Sequence, residues 1–268
     1  MLSFPNCKIN LGLNITSKRA DGYHNLETVF YPIHLKDILE VIQADQLQFT
    51  TTGLPIGGAA EDNLCLKAYQ LLKQDFPDLP AVHIHLHKVI PMGAGLGGGS
   101  SDGAFMLTLL NKKFNLQIPQ EQLLNYALSL GSDCPFFIIN NSCIAIGRGE
   151  AMIPVNVDLI NHKILLINPN IHVSTKEAFA GLVPNQPAKS IGDIVNQPIE
   201  TWKDDLRNDF EATIFEQHPE VKLIKEQLYK LGAVYASMTG TGSTVYSIFK
   251  KDQQPELSLF ANHFQQWV

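Results

Sequence analysis

The chain has 268 residues, 45% of them hydrophobic and 17% charged, with a formal net charge of −6. That is enough for one large domain or two smaller ones, in the composition of an ordinary globular protein. The acidic balance, with no basic cluster denser than the pairs Lys112-Lys113 and Lys250-Lys251, argues against a nucleic-acid-binding domain. No apolar run approaches the ~18 residues that a membrane helix needs, and the start of the chain lacks the basic and apolar regions of a secretion signal. Cys7, Cys65, Cys134 and Cys143 form no Cys-x-x-Cys pair. A disulfide framework and a zinc ribbon are therefore not expected, and a soluble cytoplasmic protein with reduced thiols is.

Cys7, Ile9, Leu11, Leu13 and Ile15 alternate with Lys8, Asn10, Gly12 and Asn14. This predicts a strand with one apolar face and with Lys8, Asn10 and Asn14 together on the other. Asp21-Gly22 marks a turn, and Val29, Tyr31 and Ile33 alternate again. Residues 38–42 and 47–51 read as further strands, so the first third is expected to be antiparallel. Residues 63–76 read as a helix with Leu64, Ala68, Leu71 and Leu72 on one face. Residues 82–89 read as a strand whose His83, His85 and His87 share a face. Three imidazoles so placed can bind zinc. The expectation is nevertheless an exposed face with Val82, Ile84 and Leu86 turned inward, because nothing else near the run supports a metalloenzyme.

Next comes PMGAGLGGGSSD, residues 91–102, with five glycines among twelve residues. It lies between the predicted strand and an apolar helix over residues 101–114. Glycines let backbone N–H groups approach phosphate oxygens, and a helix start adds unpaired donors and partial positive charge. A P-loop would need Gly-Lys-Ser/Thr, and Gly97-Gly98-Gly99-Ser100-Ser101 has no lysine. Gly93, Gly95 and Gly98 match Gly-x-Gly-x-x-Gly, but a dinucleotide fold also needs a strand ending in an acidic residue about 20 residues on, where Pro119-Gln120-Glu121 reads as a helix start. A kinase loop built mostly of backbone amides fits best.

Residues 119–130 read as a helix with Gly131 just past its end. Residues 136–139 and 143–146 read as strands of a hairpin around Asn140-Asn141. A second half begins near Pro154. It holds a strand at 163–168, an irregular proline-containing connection at 184–198, helices at 204–217 and 219–231, and strands at 233–237 and 245–249. Those strands are joined by Met238-Thr-Gly-Thr-Gly-Ser-Thr244, and a final helix is expected at 256–267. Strands mixed with helices indicate α+β layers rather than a regular βαβ wind.

Taken together, Cys7-Lys8-Ile9-Asn10-Leu11, the 91–101 loop and the 238–244 segment resemble the motifs of the GHMP small-molecule kinase superfamily. Arg19-Ala20-Asp21-Gly22-Tyr23-His24, Glu61-Asp62-Asn63-Leu64 and Gly131-Ser132-Asp133-Cys134-Pro135-Phe136 resemble the branch that acts on a cytidine-diphosphate polyol. The resemblance runs from about residue 5 to about residue 250. It implies an α+β, two-domain GHMP kinase fold with mixed and antiparallel sheets packed with helices. The domains would be residues 1–153, carrying the glycine-rich loop, and 154–268, with the active site in the cleft between them. It also implies ATP-dependent phosphorylation of an alcohol in isoprenoid precursor synthesis by the non-mevalonate route.

By the same carry-over, Asp133 is the catalytic base and Lys8 its partner. Asn10, Tyr23, His24, Asp133, Thr175 and Phe179 bind the polyol substrate, with Tyr23 and His24 on the cytidine. Gly93, Gly95, Leu96, Gly97, Gly98, Gly99, Ser100 and Ser101 wrap the ATP phosphates, and Asn63, Leu64, Lys88 and Met92 border the adenine and ribose. Mg2+ is expected with the nucleotide, although no carboxylate cluster marks a dedicated site. A lysine beside Asp133 would keep the carboxylate ionised against burial, and the Tyr23 ring offers a stacking face for a pyrimidine. The competing readings are a homoserine, mevalonate or sugar kinase of the same superfamily, and a nucleotide-binding regulator without catalysis, which an intact Lys8 and Asp133 disfavour.

Overall fold

The computed structural model describes residues 1–268. In chain order the elements of the first half are β1 (Leu2–Ser3), β2 (Asn6–Lys18), β3 (His24–Lys36), β4 (Ile38–Gln43), β5 (Gln48–Gly53), α1 (Leu64–Asp75), β6 (Val82–Lys88), α2 (Gly98–Phe114), α3 (Gln120–Leu130), α4 (Cys134–Ile139), β7 (Cys143–Gly147) and β8 (Ala151–Pro154). They are followed by β9 (His162–Asn168), α5 (Thr175–Ala178), α6 (Ile191–Val195), α7 (Trp202–Asp205), α8 (Phe210–Gln217), α9 (Pro219–Lys230), β10 (Tyr235–Met238), β11 (Val245–Lys250) and β12 (Phe264–Trp267). The chain forms two compact units that interleave in sequence. One comprises Met1–Cys7, His34–Met92 and Gly97–Asn141, and the other Lys8–Ile33, Gly93–Leu96 and Ser142–Val268.

The first unit is a sheet in the order β1-β4-β6-β5 with α1 to α4. β4 and β6 are antiparallel, but β5 runs parallel to β6. This corrects the expectation of an antiparallel opening third: α1 supplies the long crossover that a parallel pair requires. Val82, Ile84 and Leu86 are buried, and the alternate histidines hydrogen-bond across to β5. Thr50 Oγ1 lies 2.9 Å from His83 Nε2 and 2.8 Å from His85 Nδ1, and Thr52 Oγ1 is 3.1 Å from His85 Nε2 and 2.9 Å from His87 Nδ1. α2 is the central helix of this unit, packed by α1, α3 and α4. Its Ala104, Met106, Leu107 and Leu110 are fully buried, in keeping with its apolar sequence.

The second unit holds the sheets β2-β3-β7-β8 and β10-β11-β9-β12. In β2 both faces are covered, since Ile9 and Leu11 are buried and so are Lys8, Asn10 and Asn14. A strand with a buried polar face must satisfy that face internally, and the partners of Lys8 and Asn10 prove central to the site. α9 lays Val221, Ile224 and Leu228 into a core shared with Phe210, Ile214, Leu165, Ile167 and Phe249.

Three expectations fail for identifiable reasons. Residues 134–139 form the helix α4, not a strand, with Pro135 in its first turn and Asn140 ending it at φ 53°; a short apolar run carries no periodicity that separates the two states. The helix expected at 204–217 breaks at 206–209. There Leu13 N–H donates to the Arg207 carbonyl at 2.8 Å, Asp209 N–H to the Leu13 carbonyl at 2.8 Å, and Ile15 N–H to Asp209 Oδ2 at 2.7 Å. Pairing with β2 outcompetes the helical bonds. The final helix at 256–267 is instead a 3-10 turn, Ser258–Phe260, followed by β12, which pairs antiparallel with β9 and packs the Trp267 ring 5.6 Å from Phe249. The connection at 184–198 also contains the short helix α6, whose first N–H groups are held by Glu27 Oε1.

Candidate active site

In the first unit the glycine-rich loop enters helix α2 three residues earlier than the sequence suggests, so Gly98, Gly99, Ser100 and Ser101 form its first turn. Gly97 precedes it at φ 69°, a left-handed conformation that glycine adopts at no steric cost. Ser101 N–H closes the first turn onto the Gly97 carbonyl at 2.9 Å. No side chain caps this helix, whereas Asn63 Oδ1 caps α1 by accepting from Cys65 N–H at 2.9 Å. The amides at the head of α2 are thus left to a ligand, and the helix dipole favours an anionic one.

The predicted neighbours gather around this turn. A Cβ placed on Gly99 would lie 3.8 Å from Met92 Cε, and one on Gly103, a turn further along, would lie 2.9 Å from Leu64 Cβ. Lys88 lies beneath, fully buried, its Nζ 2.5 Å from Asp37 Oδ2 and 2.7 Å from Asp102 Oδ2. Asp37 Oδ1 also accepts from Val89 and Ile90 N–H, fixing the chain as it leaves β6. Burial works against the Lys88 ammonium, but Asp102 and Asp37 outweigh it and raise its pKa. Burial likewise pushes the Asp102 carboxyl up to about 7, against the pull of Lys88 and with the help of Asp37.

Asp133 stands at the head of α4, between two helices rather than between a helix and a strand, and makes no capping bond to that helix. The next residue, Cys134, hydrogen-bonds Ser100 of the cradle, and burial pushes its thiol up to about 12. α4 therefore brings Asp133 beside the first turn of α2.

The second unit ties the remaining motifs into one knot. Lys8 Nζ donates to Asn10 Oδ1 at 2.6 Å and lies 4.9 Å from the Phe30 ring centroid. Asn10 Nδ2 donates to Thr28 Oγ1 at 2.9 Å, and the Thr28 hydroxyl in turn donates to the Gly12 carbonyl at 2.5 Å. Thr239, in the second glycine segment, accepts from Asn10 N–H at 3.0 Å, and its hydroxyl reaches Asn10 Oδ1 at 3.2 Å and the Gly95 carbonyl at 3.1 Å. Lys8 N–H donates to the Leu96 carbonyl at 3.0 Å. One threonine thus joins the N-terminal motif, residues 93–96 and the late glycine segment. Gly95, at φ 75°, leaves no room for a side chain against the Thr239 carbonyl, and a Cβ on Gly93 would lie 2.5 Å from His172 Nδ1. Asn208 supports the late segment from below, its Nδ2 donating to the Met238 and Gly240 carbonyls at 2.8 Å each.

Elsewhere in this unit, His24 stacks on Phe179 with centroids 4.7 Å apart, and Phe179 packs edge-on against Phe210. Thr175 opens α5 and its carbonyl accepts from Phe179 N–H at 3.1 Å. Tyr23 is 53% exposed, with the Arg148 guanidinium 3.9 Å above its ring. Asp21 shapes the turn by bonding Tyr23 N–H and Arg19. Sequence reasoning assigned no individual role to Arg148, Thr28, Thr239, Asn208, Asp37 or Asp102, although Thr239 and Asp102 lie within the two glycine segments it singled out.

Models of the GHMP kinases N terminal domain and GHMP kinases C terminal domain match residues 63–141 and 190–262. A 4-diphosphocytidyl-2-C-methyl-D-erythritol kinase of Cytophaga hutchinsonii is 54% identical over 250 residues, covering 93% of this chain and 92% of the relative. The chain belongs to the GHMP kinase family, in its 4-diphosphocytidyl-2-C-methyl-D-erythritol kinase branch. A second such kinase, of Azobacteroides pseudotrichonymphae, is 50% identical over 256 residues, covering 95% of this chain and 96% of its own. A crystal structure of a 4-(cytidine 5'-diphospho)-2C-methyl-D-erythritol kinase superposes with a TM-score of 0.79 at 30% identity, covering 92% of this chain and 89% of that one. The α+β GHMP kinase fold follows, and with it a kinase that uses ATP on a small-molecule substrate. No helix of this family member is long and apolar enough to cross a membrane.

Proposed function

We propose that this GHMP kinase transfers the γ-phosphoryl group of ATP to the 2-hydroxyl of 4-diphosphocytidyl-2-C-methyl-D-erythritol, a step of isoprenoid precursor synthesis by the non-mevalonate route. The observation that carries the reading is the uncapped, glycine-built first turn of α2, with Asp133 brought beside it by α4, in a chain of this family. The hydroxyl oxygen forms a bond to the γ-phosphorus, the bond from that phosphorus to the ADP oxygen breaks, and the hydroxyl proton passes to the Asp133 carboxylate. Phosphoryl transfer passes through a loose transition state, so alignment and charge neutralisation matter more than a strong base.

Backbone amides of Gly97, Gly98, Gly99 and Ser100 hold the transferred and neighbouring phosphates, while Asn63, Leu64 and Met92 border the nucleoside. Lys88 supports this turn from below. Lys8, held by Asn10, is the cationic residue that the reaction requires. Thr239 locks Gly95 and Leu96 in register with Lys8. The exposed Tyr23 ring and the His24–Phe179 stack receive the cytosine, with Arg148 and Thr175 close to the diphosphate. Magnesium bound to the nucleotide would supply charge neutralisation at the phosphates, and no group of three or more His, Cys, Asp or Glu side chains is placed to hold a metal ion. The reaction takes place in the cytoplasm, where the four buried free cysteines stay reduced.

The test is Asp133→Asn in a coupled ADP-release assay. Turnover falls on the order of 10²-fold or more while ATP affinity stays within a few-fold. Unchanged turnover would remove Asp133 from the chemistry.

A further inference from the structure

The buried Asp37, Lys88 and Asp102 cluster lies directly under the phosphate cradle, and the proposed reaction assigns its two carboxylates no chemistry. We propose that this cluster positions the first turn of α2 and couples nucleotide binding there to the uptake of a proton by Asp102. The inference rests on the reading of that turn as a nucleotide site.

The positioning follows from where the three side chains originate. Lys88 ends β6, Asp37 lies between β3 and β4, and Asp102 sits in α2 immediately after its first turn. The Lys88 ammonium joins them, 2.5 Å from Asp37 and 2.7 Å from Asp102. A Cβ on Gly98 would lie 3.1 Å from Lys88 Nζ and 2.9 Å from Ile90 Cγ2, so the first helical residue rests on the ammonium itself. Any shift of Lys88 or Asp102 moves the amides that face the ligand.

The coupling follows from charge. One ammonium between two carboxylates leaves a net negative charge in a site without exposed polar surface, because the side chains of Lys88, Asp37 and Asp102 are 0%, 0% and 4% exposed. Asp102 Oδ2 takes the lysine, while Asp102 Oδ1 is buried with no hydrogen-bond partner, as is Ser101 Oγ beside it. A bare carboxylate oxygen in such a place favours the neutral acid. The groups facing Asp102 do not reverse this. From β6 comes Lys88, already shared with Asp37, and from α1 the Cys65 thiol, which burial keeps neutral. Asp37, the remaining charged neighbour, carries a negative charge of its own and works in the same direction as burial. In the free protein burial raises the Asp102 carboxyl to about 7. A polyanion on the cradle adds negative charge above the cluster and drives it further toward the acid. By linkage, deprotonating Asp102 must then weaken nucleotide binding to the same extent.

A rise of one pKa unit on binding, from a free value near 7, makes nucleotide affinity fall roughly fivefold between pH 7 and pH 9. The experiment is calorimetric titration of the full chain with ADP at pH 8, in two buffers of different ionisation enthalpy. Phosphate groups with a second pKa of about 6 are already ionised at that pH. The wild type should take up roughly 0.4 proton per ADP bound, for the same one-unit rise. In Asp102→Asn the uptake should vanish and the dissociation constant should not change between pH 7 and pH 9. Binding without proton uptake in the wild type overturns the coupling alone, and the same pH dependence in Asp102→Asn as in the wild type does so too. No ADP binding at either pH overturns the nucleotide reading together with the coupling. The wild-type measurement decides the matter even if the variant does not fold.

Discussion

Gly95→Ala isolates the closest backbone approach in the second unit. A Cβ there overlaps the Thr239 carbonyl oxygen and lies 2.9 Å from the Thr239 carbonyl carbon and 3.2 Å from Gly242 N. These are backbone atoms, so no flexible side chain can swing away. The residue also sits at φ 75°, where an L side chain costs about 1–2 kcal/mol. Overpacking adds about 1–3 kcal/mol. Displacing the loop to relieve the clash breaks the 3.1 Å bond from Thr239 Oγ1 to the Gly95 carbonyl, worth about 1 kcal/mol. Since relaxation trades one cost for another, the net loss should be roughly 2–5 kcal/mol. With a urea slope of about 2 kcal/mol per molar, the unfolding midpoint falls by roughly 1–2.5 M. The control is Gly99→Ala in the same glycine run. Its Cβ meets only Met92 Cε at 3.8 Å and its backbone is helical, so stability should hold or rise by up to about 1 kcal/mol. Circular dichroism of both variants against urea reads the contrast. A wild-type midpoint for Gly95→Ala, or an equal loss in Gly99→Ala, would refute the close-packing reasoning.

Asn208→Ala removes the donor shared by the Met238 and Gly240 carbonyls and leaves both buried, so stability should fall by about 2–4 kcal/mol by urea unfolding; a loss below ~0.5 kcal/mol would mean the late glycine segment holds itself. Tyr23→Ala should raise the KM of the cytidyl alcohol far more than that of ATP in steady-state kinetics, and equal effects would count against a cytosine at this ring. Asp102 also shapes stability against pH: its folded pKa lies above its ordinary value of 3.8, so the folded state holds the extra proton and the group's contribution is lost as pH rises from about 4 through about 7. The wild type minus Asp102→Asn difference in unfolding free energy should therefore decline across that window, and a flat or rising difference would contradict the burial argument.

What the sequence made legible was local. The alternation from Cys7 to Ile15 placed β2, the apolar repeat after Asn63 placed α1, and the glycine run placed a turn between β6 and α2. What it hid was decided by partners far away in the chain. Residues 206–209 leave the helical path because β2 pairs with them, and β12 forms because the edge of β9 accepts it. The wiring of the site was hidden for the same reason. Thr239 meets Asn10 across 229 positions and Lys88 meets Asp37 across 51, and nothing in the local sequence pairs them. Lys88 was expected at the nucleoside and stands instead beneath the cradle, its charge taken up by two aspartates.

The most direct measurement is ADP release by the purified chain with ATP and a panel of alcohols: 4-diphosphocytidyl-2-C-methyl-D-erythritol, homoserine, mevalonate and simple sugars. The cytidyl alcohol alone should support turnover, with one phosphate added at its 2-hydroxyl. Turnover on another alcohol, or none with the cytidyl alcohol in folded protein that binds ATP, would contradict the assignment.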